Sequence, residues 1–146
     1  MKTFRFFIIL GLLATVFINC KKDGSNDFEG VRVTVDGDEW VAPTTTGIAQ
    51  AGLLVIIGTN ATGSKSLSIS FPDDIDPGTY ELEPFGDVDV SFNEGGTTVY
   101  SPKTGELVVT EHAGKRIKGT FKFEGEEAFS GDTASFTDGE FNVAYQ

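Results

Sequence analysis

The sequence predicts an all-β domain, an antiparallel β-sandwich or flattened barrel of about 8–10 strands. Three observations predict it. Apolar and polar residues alternate with period two along much of the chain after residue 30. Turn-forming pairs such as Asp36-Gly37, Asn93-Glu94-Gly95-Gly96 and Asp138-Gly139 recur between the alternating runs. No run of a dozen residues spaces its apolar side chains as a helix would.

The elements follow in order. Val31, Val33 and Val35 share one strand face, with Arg32 and Thr34 on the other. Asp36-Gly37 then suits a tight two-residue hairpin, because both residues accept positive φ. Leu53 to Ile57, LLVII, is apolar without a break between Gly52 and Gly58, the pattern of a central strand covered on both faces. Asn60 to Ser64 reads as a loop, after which Leu67, Ile69 and Phe71 alternate with Ser66, Ser68 and Ser70. Asp76-Pro77-Gly78 fits a type II turn, proline setting one corner and glycine supplying positive φ at the next.

Val88, Val90 and Phe92 form another one-sided strand against Asp87, Asp89 and Ser91. His112-Ala113-Gly114 reads as a connection leading into a strand with Ile117, Gly119, Phe121 and Phe123 on one face. Arg116, Lys118, Thr120 and Lys122 take its wet face. Asp138-Gly139 is expected as a hairpin turn, and Phe141, Val143 and Tyr145 close the chain against Glu140, Asn142 and Ala144.

Before residue 30 the chemistry is different. Lys2 and Arg5 precede an apolar stretch from Phe6 to Ile18, too short for a comfortable membrane span but the length of a secretory h-region. Residues 1–19 therefore read as a signal peptide. Cys20, the single cysteine, follows directly, and has no partner for a disulfide. A cysteine in that place resembles the lipobox of bacterial lipoproteins, although Asn19 stands where most carry Gly, Ala or Ser. The resemblance implies cleavage before Cys20 and acylation of its thiol and new amino group, and two or more acyl chains give stable anchoring. Residues 20–28 read as a polar tether and residues 29–146 as the β domain.

Charge bounds the partners. The whole chain carries a formal charge of −11, and loss of residues 1–19, with two basic residues and no acid, makes it −13. Nucleic acid is excluded as a partner by that sign, and docking on anionic lipid through charge is disfavoured. With no disulfide framework, the fold must rest on its core, for which the nine phenylalanines after residue 19 are the obvious material.

The candidates for chemistry are few. His112 is the single histidine, placed in a hairpin where an exposed polar residue needs no function, and no triad or zinc set can be assembled around it. Asp73, Asp74 and Asp76 are calcium candidates as an oxygen-rich loop, with Asp87 and Asp89 a strand away. Their spacing is not that of an EF-hand, and turn chemistry explains them equally well. Trp40, Tyr80 and Tyr100 are candidates for a sugar-stacking platform, weighed against a role stapling strand ends to the core. No G-x-S-x-G, phosphate loop or C-x-x-C occurs, so the sequence implies no catalytic residues and no cofactor.

Three stretches, V-D-G-D-E-W at 35–40, P-G-T-Y-E-L at 77–82 and I-K-G-T-F-K-F at 117–123, join the lipoprotein start and the closing G-E-F-N-V-A-Y. Together they resemble a group of small Bacteroidetes lipoproteins known as a domain of unknown function, DUF6252. The resemblance covers nearly the whole chain after Cys20. It implies an exported, lipid-anchored β domain and brings no catalytic residues. The expectation is an outer-membrane-anchored, non-enzymatic binding module with an envelope protein or glycan partner. A lipocalin-like carrier of a small apolar ligand is the alternative, and would need a hollow interior. A small hydrolase comes third.

Overall fold

The computed structural model describes residues 28–146. Ten strands follow in chain order: β1 (Gly30–Val35), β2 (Asp38–Val41), β3 (Thr44–Gln50), β4 (Leu53–Thr59), β5 (Lys65–Pro72), β6 (Gly78–Leu82), β7 (Asp89–Glu94), β8 (Thr98–Ala113), β9 (Arg116–Glu127) and β10 (Thr133–Ala144). They form one sheet in the order β2-β1-β10-β9-β8-β7-β5-β4-β3, with β6 on β8 as well. Every strand pair is antiparallel. The expected all-β fold is present as a single continuous sheet curled into a half-barrel rather than as two separate sheets.

The curl is visible in which side chains meet. Trp40 on β2 and Phe92 on β7 are far apart in strand order, yet their rings touch edge to face at 5.4 Å. Phe71 on β5 likewise reaches Phe141 on β10 at 6.2 Å. The last residues draw the sheet round further, since Gly47 of β3 makes a parallel bridge to Tyr145. The Ala49 N–H donates to the Gln146 carbonyl at 3.0 Å.

The concave face is filled. Phe92 packs on Phe136 at 5.4 Å, Phe136 stacks on Phe123 at 4.2 Å, and Phe121 stacks on Phe141 at 6.5 Å. Aliphatic side chains such as Leu54, Ile56, Leu67 and Ile69 are fully buried around them. These are the inward phases of the alternating runs, so period two in the sequence becomes one dry face in the sheet. The other face is wet, and along β8, β9 and β10 it carries ion pairs such as Lys118–Glu111 at 2.7 Å and Lys122–Glu106 at 3.0 Å.

Turns confirm part of the local reading. Asp36 (φ 48°) and Gly37 (φ 93°) make the β1–β2 hairpin, and Asp36 braces it to β10 by accepting from the Ser135 N–H at 2.8 Å. Phe28 docks where β1 begins: Asn142 donates to its carbonyl at 2.7 Å and the Arg32 guanidinium lies 4.7 Å over its ring.

Four expectations are corrected. Asp138-Gly139 is not a hairpin but a bulge inside β10, between Phe136 and Gly139 in the ladder to β9. Asp138 takes φ 50° there, and the extra residue switches the inward phase from Ala134 and Phe136 to Gly139, Phe141 and Val143. Gly78 lies in β6 without the positive φ a type II turn requires. Residues 112 and 113 are still strand, and the β8–β9 turn is Gly114-Lys115, both with φ 59°. LLVII, finally, is covered on one side only. Leu54 and Ile56 are buried, whereas Leu53 and Ile57 are 45% and 39% exposed, because β4 is next to the edge strand and no described residue covers these two on its convex side.

A candidate binding groove

A groove of about 670 Å³ opens on the flank of the sheet, and its origin lies in how β8 is paired. One edge of β8 is shared between two strands: β7 takes Thr98 to Tyr100, and β6 takes Gly105 to Val109. Neither pairs with Ser101 to Thr104, and Pro102 could donate no ladder hydrogen bond in any case. A register shift between Pro102 and Thr104 bulges the same stretch in its ladder to β9. Ser101, Pro102 and Lys103 thus line the groove where the edge is open.

The loop from β6 to β7 makes one rim. Glu83-Pro84-Phe85-Gly86 is a turn closed by the Gly86 N–H on the Glu83 carbonyl at 3.2 Å. Proline takes the first corner, and Phe85 takes the second with φ 66°. Positive φ there is the mark of a type II turn, whose second corner normally holds glycine. A phenylalanine occupies it instead, and its side chain is fully exposed. Such a residue is costly twice, in backbone conformation and in wetted apolar surface.

The β9–β10 turn makes the other rim. Ala128 lines the groove, and the next residue, Phe129, is 92% exposed. The turn is held by the Glu127 carboxylate, which accepts the N–H groups of Phe129 at 3.0 Å and Ser130 at 2.5 Å. The backbone N–H of Ser130 above all, then its side-chain contact and the Phe129 N–H, holds the Glu127 carboxyl below the usual carboxylate range, against an opposing effect of burial. Ser130 Oγ bonds Asp132 Oδ2 at 2.8 Å, and Gly131 supplies φ 75°. Phe129 is therefore displayed on a braced turn.

The electrostatics around the groove are acidic. Glu126 hydrogen-bonds Lys103 at 2.7 Å and raises its ammonium above the usual lysine value. Tyr100 beside this region is raised by burial first and then by the carboxylates of Glu94, Asp132, Asp36 and Glu127. Asp89 lines the groove, and among the described residues no lysine or arginine pairs with it.

The residues singled out from the sequence fall elsewhere, with one exception. Cys20, residues 1–19 and all of the 20–28 tether except Phe28 lie outside the described residues. Asp73, Asp74 and Asp76 are exposed on the turn after β5, and among the described residues no three His, Cys, Asp or Glu side chains converge as a metal site. Trp40 packs on Phe92, Tyr100 packs on Phe136 at 5.7 Å, and the Tyr80 hydroxyl donates to the Asp76 carbonyl at 2.6 Å. All three are half-buried staples rather than a stacking platform. His112 is not the exposed hairpin residue expected. Its Nδ1 lies 2.7 Å from the Ile75 carbonyl, to which it must donate, and Nε2 shares a hydrogen bond with the Tyr145 hydroxyl at 2.8 Å, accepting it when the ring is neutral. Asp89 is the exception, a named carboxylate that the fold does bring to the groove.

Phe85 and Phe129 carry no motif. The available signal was their context: E-P-F-G and E-A-F-S-G place a large apolar residue among turn formers, outside any alternating run.

Fold and groove define a class, a small all-β domain with a filled interior and an apolar-rimmed recess on its flank. The chain belongs to the family of the domain of unknown function DUF6252, whose model matches residues 29–143. Neither the curated proteins nor the solved structures compared with it gave a match. Among the described residues no helix is long and apolar enough to cross a membrane.

Proposed function

We propose that this protein is a lipid-anchored, non-enzymatic binding module of the outer membrane, held by acylated Cys20 and recognising an envelope partner through the Phe85–Phe129 groove. The observation that carries the reading is Phe85, fully exposed at the corner of a turn where glycine is the undemanding choice. Exposed, conformationally costly aromatics on braced loops are what recognition surfaces use. The stacked phenylalanine interior supports surface recognition over a carrier, which needs an internal cavity. Engagement of both His112 nitrogens in structural bonds supports a non-enzymatic role.

The test is cross-linking in intact envelopes with the wild-type chain and with Phe85→Ser/Phe129→Ser. A cross-linked species that depends on the two phenylalanines is expected; a pattern identical in both chains sinks the groove reading. The anchor is tested separately by metabolic labelling with a radioactive fatty acid, which should mark the wild type and leave Cys20→Ala unlabelled.

A further inference from the structure

We infer that the groove takes an extended polypeptide segment carrying lysine or arginine beside apolar side chains, an inference that rests on the binding reading above and names its partner. The recess does not end at its apolar part. A second groove, of about 500 Å³, shares Pro84 and Lys103 with the first, so the two run into one another along β6 and β8. The first part offers Pro84, Phe85, Pro102 and Ala128, and the second offers Glu81, Glu83 and Glu106. An apolar half thus leads into an acidic half.

The charge of that trough is not cancelled. Its one lysine, Lys103, is taken by Glu126, and Glu106 is taken by Lys122. Glu81, Glu83, Asp87 and Asp89, which flank Phe85 in the chain, are in no ion pair among the described residues. A neighbouring groove, which shares Glu106 with the acidic half, makes the contrast. Both of its cations are matched there, Arg32 by Glu140 and Lys122 by Glu106, and of its lining carboxylates Asp138 alone is left in no ion pair among the described residues. Unbalanced carboxylates beside exposed apolar surface attract cationic groups and repel phosphate-bearing ones, which argues for a basic peptide and against an anionic lipid surface. At Ser101 to Thr104 neither β6 nor β7 pairs with β8, so apart from the missing Pro102 N–H this short stretch leaves main-chain groups for a few residues of an extended segment to meet.

Fluorescence polarisation with three labelled peptides of one length, leucine alternating with lysine, glutamine or glutamate, tests the inference. The lysine peptide should bind about tenfold or more tightly than the glutamine peptide at low salt, and the glutamate peptide should not bind. Phe85→Ser/Phe129→Ser and, separately, Glu83→Gln/Asp89→Asn should each weaken the lysine peptide about tenfold. Lysine-peptide binding untouched by the phenylalanine changes would be attraction to an acidic surface in general, and overturns the inference. Equal binding of the lysine and glutamine peptides overturns the basic partner while leaving the groove reading intact. Binding to none of the three overturns the polypeptide partner. Binding to phosphatidylglycerol vesicles that is lost with the two phenylalanines overturns it in favour of a lipid surface.

Discussion

Phe141 stands directly across from Gly119 in the β10–β9 ladder, and its ring occupies the space that a side chain at 119 would fill. The relationship is repeated at Gly139, whose partner Phe121 lays its ring there, while Gly105 pairs with Phe123 and is crowded by its Cβ. Large rings over bare glycines let the sheet curl tightly and still leave its concave side filled. Gly119→Ala would drive a methyl into the Phe141 ring and the Val108 carbonyl, one of which is backbone and cannot rotate away. We expect a loss of about 1–3 kcal/mol or more, read as a Tm lowered by about 4 °C for each kcal/mol. An unchanged Tm would mean that the ring over Gly119 can yield.

Acid should loosen the β9–β10 turn. The Glu127 carboxyl titrates lower in the folded chain than in the unfolded one, chiefly because it accepts the Ser130 N–H. Its contribution to stability is therefore complete above the ordinary glutamate range and is lost as pH falls through its folded value. Thermal melts from about pH 7 to about pH 3 should show the gap between wild type and Glu127→Gln narrowing as pH drops. A gap that stays constant would mean that the charge on Glu127 is not what holds the turn.

What could be read in advance divides along physical lines. Strands such as Lys65–Pro72 and Arg116–Glu127 announced themselves because one face is dry and the other wet. Strand Thr44–Gln50 did not, since its inward residue Gly47 is packed by Tyr145 rather than by an apolar side chain of its own. Asp138-Gly139 misled because a hairpin corner and this bulge both ask positive φ of Asp138, and only the partner strand distinguishes them. The groove was illegible for a related reason. It exists because β8 is paired by two different strands with a gap between them, and a gap in pairing leaves no periodic trace.

His112 offers a test of long-range bracing. It ties the loop at Ile75 to the chain end at Tyr145. His112→Ala leaves the Ile75 carbonyl and the Tyr145 hydroxyl without these partners, at a cost of about 1–3 kcal/mol, and Tyr145→Phe alone should cost about 1 kcal/mol. In denaturant melts the double variant should lose less than the sum of the two, with a coupling of about 0.5 kcal/mol or more. Strict additivity would show that the His112–Tyr145 contact contributes nothing to the folded state.

Phe85 should be separable from stability. Phe85→Gly relieves a positive-φ phenylalanine and removes a fully exposed ring, so it should leave the fold as stable or more so, by up to about 1 kcal/mol. The same change should abolish partner binding. Chemical denaturation and the cross-linking assay together decide it, and a marked fall in stability would reassign Phe85 to the packing of the turn.

The two faces of LLVII give the sharpest contrast. Ile56 is fully buried and Ile57, the next residue, is 39% exposed on the convex side of β4. Ile56→Ala should cost about 2–5 kcal/mol, through lost burial and the cavity left among the interior side chains. Ile57→Thr keeps the β-branched shape that a strand favours and changes only wetted surface, so its effect should lie within about 0.5 kcal/mol. Opposite results at adjacent positions follow from the period of a strand, and an unbroken apolar run cannot by itself say which of its residues is inside. Equal destabilisation by the two changes would mean that something covers the convex face of β4 after all, as its composition alone suggests.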